Sequence, residues 1–209
     1  ELPKLTTGPF AGLPRIYAIA VDLVTHTDGR LDVDVIGRFV AAYQTVSVLG
    51  MGELWAVPIA LRLALVENLA RIASRVVRAL GERDAADALA DDLIERAAVD
   101  PAGVVPALEQ RVSGRTRPST TMFAAQLLQR LRDQDSSLVP AVDWIEHRLL
   151  DQGSTADDAI RNEHRSQAAN QVSVGNAITS MRAISAADWP AFFEALSAVD
   201  RALGEDPSG

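Results

Sequence analysis

Cysteine is absent from the 209 residues, which excludes disulfides, a thiolate nucleophile and any metal site built on sulfur. Aromatic residues make up only 5% of the chain beside 48% hydrophobic residues. A core must therefore be assembled from Ala, Leu, Val and Ile, a composition that favours packed helices over a β-sandwich. A basic surplus is also missing. Twenty Lys and Arg against 28 Asp and Glu leave a net charge of −8, which argues against nonspecific nucleic-acid binding, because phosphate attraction needs a basic face. No window of about twenty apolar residues is free of charge, so no transmembrane segment is expected. The nearest candidate, residues 54–73, carries Arg62, Glu67 and Arg71 and reads as a core helix. A signal peptide, a Gly-rich phosphate loop, a Gly-x-Ser-x-Gly elbow and a repeat of fixed period are all lacking. What is left is the profile of a soluble, acidic, helix-rich globular chain.

Glycine and proline punctuate the sequence at helical intervals. Pro14 starts a helix that stops near Asp28 and Gly29, and Asp32 is a plausible N-cap for the next, over 33–46. A long apolar helix runs to Leu80 and is expected to stop at Gly81, followed by an amphipathic acidic helix over 82–98. Pro101 opens a short helix. Residues 113–118, with Arg115 and Arg117, are the most loop-like stretch. Further helices read over 120–132, 139–151, 155–182 and 186–203, with Ser154/Asp157 and Ser185/Asp188 as weak capping patterns. The expected fold is all-α, an irregular array of about nine helices in a single domain over 1–209. Glu1 at the start and the turn-like ending at 205–209 read as cuts in a longer or processed polypeptide.

Two polar intrusions stand out. On a helical wheel Ile59, Leu63, Val66, Leu69, Ile72, Val76 and Val77 form a broad apolar arc, and Arg62 projects from within it. A buried guanidinium needs a carboxylate or several carbonyls. In the later long helix, Glu163, Gln167 and Asn170 sit in the middle of a face otherwise built from Ala156, Ala159, Ile160, Val174, Ala177, Ile178 and Met181, as either a buried network or the floor of a cleft. The natural pairing is Arg62 with Glu163, with Gln167 and Asn170 completing the hydrogen bonds. His26, His147 and His164 have no metalloprotease spacing, and no metal site is expected. Asp32-Val33-Asp34 and Asp133-Gln134-Asp135 match a DxD pattern only formally, since both lie at helix edges and read as solvated caps. Among the tryptophans, Trp55 is expected in the core, whereas the indole of Trp189 is either a staple or exposed. No catalytic residue is nominated.

Several of these segments together resemble the cyclic β-1,2-glucan synthases: GELWAVPIALRLALVENL at 52–69, NEHRSQAANQVSVGNAITSMR at 162–182, Ala-Asp-Trp-Pro-Ala-Phe-Phe-Glu at 187–194, and Leu13-Pro14-Arg15-Ile16-Tyr17 with His26-Thr27-Asp28. The resemblance covers nearly the whole chain. It implies a fragment of a large multidomain enzyme of the bacterial inner membrane, on the cytoplasmic side and upstream of a UDP-glucose-dependent glycosyltransferase domain. The transferase motifs of that family have no counterpart here, so no catalytic residue and no cofactor carries over to this segment; UDP-glucose is implied for the parent enzyme alone.

Three readings follow. The first is a non-catalytic helical scaffold whose partners are the remaining domains of the parent synthase. The second is a β-glucan- or nucleotide-sugar-binding module using Arg62, Glu163, Gln167, Asn170 and Trp189, which needs a concave groove. The third is an independent helical enzyme with coupled carboxylates.

Overall fold

The computed structural model describes residues 1–113 and 120–197. Among these residues the chain is all-α, with eight α-helices and two short 3₁₀ turns: α1 (Arg15–His26), α2 (Val33–Gln44), α3 (Met51–Val99), α4 (Val104–Ser113), α5 (Thr121–Arg132), α6 (Val139–Asp151), α7 (Ala156–Ala186) and α8 (Trp189–Leu196). The basic loop residues Arg115 and Arg117, and the part of the last expected helix beyond 197, lie outside the described residues.

The helix count falls by one because Gly81 does not stop α3, which runs through it for 49 residues. A glycine inside a helix costs only about 1 kcal/mol relative to alanine, and the turns on both sides are rich in Arg, Ala, Leu and Glu without proline. A Cβ added at Gly81 would meet nothing within 4 Å. Gly81→Ala is therefore expected to stabilise the protein by about 0.5–1 kcal/mol, read as a higher urea midpoint with an unchanged m-value.

Local chemistry sets the helix starts. Asp32 caps α2, its carboxylate accepting from the Val35 amide at 2.7 Å, and Asp135 caps a 3₁₀ turn by accepting from Ser137 N–H at 2.9 Å. One Asp of each DxD look-alike thus serves a helix end. The cap of α7 is Thr155 rather than Ser154: its hydroxyl accepts from Asp158 N–H at 3.1 Å and donates to the Asp158 carboxylate at 2.7 Å. Asp188 caps α8 through Ala191 N–H.

The chain divides into two compact units, 1–72 with 170–209, and 73–169. Each has its own core. In the first unit, Ile16 and Leu23 of α1, Ile36 and Val40 of α2, and Leu54, Leu61 and Leu65 of α3 close over Ala177, Ile184, Phe192 and Phe193. In the second, Ala86, Ala90 and Leu93 of α3 pack with Leu108, Phe123, Leu128, Leu131, Ile145 and Leu149. The sequence segments of α3 and α7 each contribute to both units.

Candidate functional site

The first unit is tied by two polar anchors that span long stretches of sequence. Arg15, at the start of α1, grips Glu53 in the first turn of α3. Its Nε donates to Oε1 at 2.9 Å and a terminal nitrogen to Oε2 at 2.6 Å. The same guanidinium donates to the Ser47 hydroxyl at 2.7 Å and the Val48 carbonyl at 3.2 Å. Glu53 is only 2% exposed and also accepts from Gly50 N–H at 2.9 Å. Burial pushes this carboxyl up. The hydrogen bonds from Arg15 and Gly50, with the guanidinium charge, outweigh burial and hold it below its ordinary value.

The second anchor docks the α1–α2 turn onto α7. Asp28 and Gly29 both have positive φ, 51° and 72°. The Ser173 hydroxyl donates to the Asp28 carboxylate at 2.6 Å, and Asn176 donates to the Asp28 carbonyl at 3.2 Å. Buried Ser180 donates to the Gly29 carbonyl at 2.8 Å and accepts from Leu31 N–H at 2.7 Å. Sequence reading found neither anchor, since the partners are 38 and about 150 residues apart.

Along α3 the outward face of this unit is apolar. Met51, Trp55, Ile59, Leu63 and Val66 follow one another at three- or four-residue spacing and are 46–68% exposed, with Ile59 the most exposed. Beside the stripe lies an apolar slot of about 280 Å³ between α1 and α3, lined by Leu2, Leu13, Tyr17, Ile59, Leu63 and Glu67. Tyr17 donates its hydroxyl to the Glu67 carboxylate. Burial, and then that carboxylate, push the Tyr17 phenol up to about 12.

Several expectations are corrected on this face. Arg62 is not buried in an apolar arc. It is exposed, and its guanidinium donates to the Ser185 hydroxyl at 3.4 Å. The reason is that α3 is apolar on two sides here: Val57, Ala60, Leu61, Ala64 and Leu65 face the core, and of the arc drawn from sequence Ile59, Leu63 and Val66 face outward while Ile72 is buried. Trp55 is accordingly 54% exposed, not a core residue, and packs at a tilt of 45° against the Phe193 ring, 4.4 Å between centroids. Trp189 is the staple: half-buried, it donates to the Ile184 carbonyl at 2.8 Å and packs against Phe192 and Phe193.

The polar cluster foreseen on α7 forms in the second unit with a different guanidinium. Glu163 accepts from Arg83 at 2.9 Å and from Gln167 at 2.8 Å. Arg62 is not its partner; Arg83, on the same unit's stretch of α3, is. Asn170 falls to the first unit. Arg83, Gln126, Gln129, Glu163 and His164 line a polar cleft of about 60 Å³, room for a few ordered waters. Trp144 donates to the Glu109 carboxylate at 3.0 Å and has the Arg148 guanidinium 5.3 Å from its ring centroid. His26 and His147 each hydrogen-bond the carbonyl four residues earlier in their own helix. No group of three metal-ligating side chains occurs among the described residues. No helix among them is long and apolar enough to cross a membrane.

The fold and its sites define an all-α segment in which the buried Arg15–Glu53 pair ties helices together and α3 carries an exposed apolar face. No family model matches the chain. Over 98% of its length it is 36% identical to a segment of the cyclic beta-(1,2)-glucan synthase NdvB of Rhizobium meliloti, and it spans 7% of that protein.

Proposed function

We propose that this chain is a non-catalytic helical packing module of a cyclic β-1,2-glucan synthase, covered in the working enzyme by another protein surface. The observation that carries the reading is the apolar face of α3. Five large apolar side chains in succession on one exposed helix face form a contiguous patch of the kind that marks an interaction site. The length of the relative supports it, since a segment matching 7% of a synthase has abundant neighbouring surface to meet. On this reading the longer enzyme is the glucosyltransferase, uses UDP-glucose, and holds this module on the cytoplasmic side of the inner membrane. The module itself needs no cofactor.

A β-glucan-holding role has one observation in its favour, the cleft in which Arg83, Gln126, Gln129 and Glu163 offer donors and acceptors suited to sugar hydroxyls. Calorimetric titration separates the two. Linear β-1,2-glucooligosaccharides and UDP-glucose, each to millimolar concentration, are expected to give no saturable heat. Saturable heat with the oligosaccharide that disappears in Glu163→Ala would replace the packing reading with the glucan-binding one. In parallel, hydroxyl-radical footprinting of Met51 and Trp55 is expected to show strong labelling in the dilute 209-residue chain and protection in the full synthase carrying it.

A further inference from the structure

We infer that the groove between α1 and α3 in the first unit binds a neutral single-chain amphiphile of the monoacylglycerol type. Its aliphatic chain lies in the apolar slot, and its short hydroxyl-bearing head lies in a polar pocket next to it. The inference goes beyond the packing reading and does not rest on it. Two cavities follow one another along this groove. The first is the slot of about 280 Å³, whose walls include Tyr17 of α1 and Ala60 and Leu63 of α3. The second, of about 120 Å³, is lined one turn further along each helix, by Val21, Val24 and Thr25 of α1 and by Ala64, Asn68 and Arg71 of α3. Glu67 lines both. An apolar cavity beside a small cluster of polar groups is the usual make-up of a small-molecule site, and here the two parts lie in the order of chain and head.

The polar groups select the head. Glu67 and Arg71 lie one turn apart on α3, and each is drawn to another partner: Glu67 accepts from the Tyr17 hydroxyl, and Arg71 donates to the Asn68 carboxamide oxygen at 2.8 Å. Their remaining capacity is opposite in sense, since a carboxylate accepts further hydrogen bonds and a guanidinium donates several more. Asn68 is 8% exposed, and its amide nitrogen donates to no acceptor among the described residues. A buried amide donor of this kind calls for a water or a ligand oxygen. The Thr25 hydroxyl donates to the Val21 carbonyl at 2.8 Å, and its oxygen can still accept. An anionic head would be set against Glu67 and a cationic head against Arg71, each a costly like-charge contact. Hydroxyl groups both donate and accept, and so satisfy all four side chains. The pocket is well below the ~300 Å³ at which sites for drug-sized ligands begin, which restricts the head to a short one such as glycerol.

Calorimetric titration of the 209-residue chain with monooctanoylglycerol, octanoate and octyltrimethylammonium, each below its micellar concentration, tests this. Saturable one-to-one binding of monooctanoylglycerol is expected, with the acid and the ammonium each at least about fivefold weaker. Glycerol alone should give no saturable heat. Leu63→Asp, which puts a charge on the exposed wall of the slot, is expected to weaken binding at least about tenfold while the helical circular dichroism stays unchanged. Two charge-removing variants give a readout that damage to the fold would not. Glu67→Gln should shift the preference toward octanoate, and Arg71→Gln toward octyltrimethylammonium, each by about tenfold. The inference is overturned by no saturable heat with monooctanoylglycerol, by equal affinity for the three heads, or by head preferences that neither variant moves. Tighter binding of octyl β-glucoside, with its larger head, would overturn it as well. Met51 and Trp55 line neither cavity, so their footprinting in the full synthase tests the packing reading separately, and either can fail while the other stands.

Discussion

Arg15→Ala is expected to destabilise the first unit by about 3–5 kcal/mol at neutral pH, the cost of stranding a buried charge by removing its partner. Glu53, 2% exposed, would keep only the Gly50 amide among the described residues. The Ser47 hydroxyl and Val48 carbonyl would also lose their donor. Arg15→Lys keeps the charge but cannot hold both carboxylate oxygens and both neighbours from one planar group, so an intermediate loss is expected. A double replacement, Arg15→Met with Glu53→Leu, should recover most of the loss, because an apolar pair strands nothing.

The pH dependence has a definite sign. The folded state holds the Glu53 carboxyl below its ordinary value of 4.5. The ion pair's contribution is therefore full above that value and is lost as pH falls through the lower, folded one. In Arg15→Ala that depression is largely gone. The stability gap between parent and variant should narrow as pH drops below 4.5, and urea titrations at neutral and acid pH followed by tryptophan fluorescence would measure it. A gap that stays constant or widens on acidification would mean that the carboxylate is not what Arg15 stabilises.

How much of this was legible in the sequence depends on whether the signal was local. The all-α fold, the Asp32 cap and the Glu163–Gln167 bond depend on neighbours within a few residues, and each could be read from spacing. The orientation of α3 could not. Periodicity detects an apolar face by its contrast with a polar one. Between Leu54 and Val66 this helix is apolar both where it meets the core and where it does not. The wheel therefore chose the outward arc, which placed Arg62 in the interior and assigned it to Glu163. A guanidinium was indeed required there, and Arg83, from a later turn of the same helix, provides it. The Arg15–Glu53 tie had only an indirect trace. Its two residues lie in separate stretches, 13–17 and 52–69, both among those that resemble the glucan synthases, and the fold brings those stretches together.

The same holds for the other anchor, where the largest effect of removing a single small side chain is expected. Ser180→Ala should cost about 2–4 kcal/mol. Its hydroxyl is 1% exposed and serves two backbone groups at once, donating to the Gly29 carbonyl and accepting from Leu31 N–H. Alanine leaves both without their partner in the interior, at about 1–3 kcal/mol for each unsatisfied group. The turn is also held from its other side, Gly29 N–H donating to the Val24 carbonyl at 2.8 Å, which keeps the Gly29 carbonyl from swinging round to another donor. Asn176→Ala, which removes an exposed 3.2 Å bond to Asp28, should cost less than about 1 kcal/mol. Amide hydrogen exchange gives a readout that general loss of stability does not: Leu31 N–H should exchange much faster in Ser180→Ala while the amides inside α2 keep their relative order of protection. Retained protection at Leu31 would show that another acceptor has taken the place of Ser180. Ser180 would then not be what pins the turn at Asp28 and Gly29 to α7.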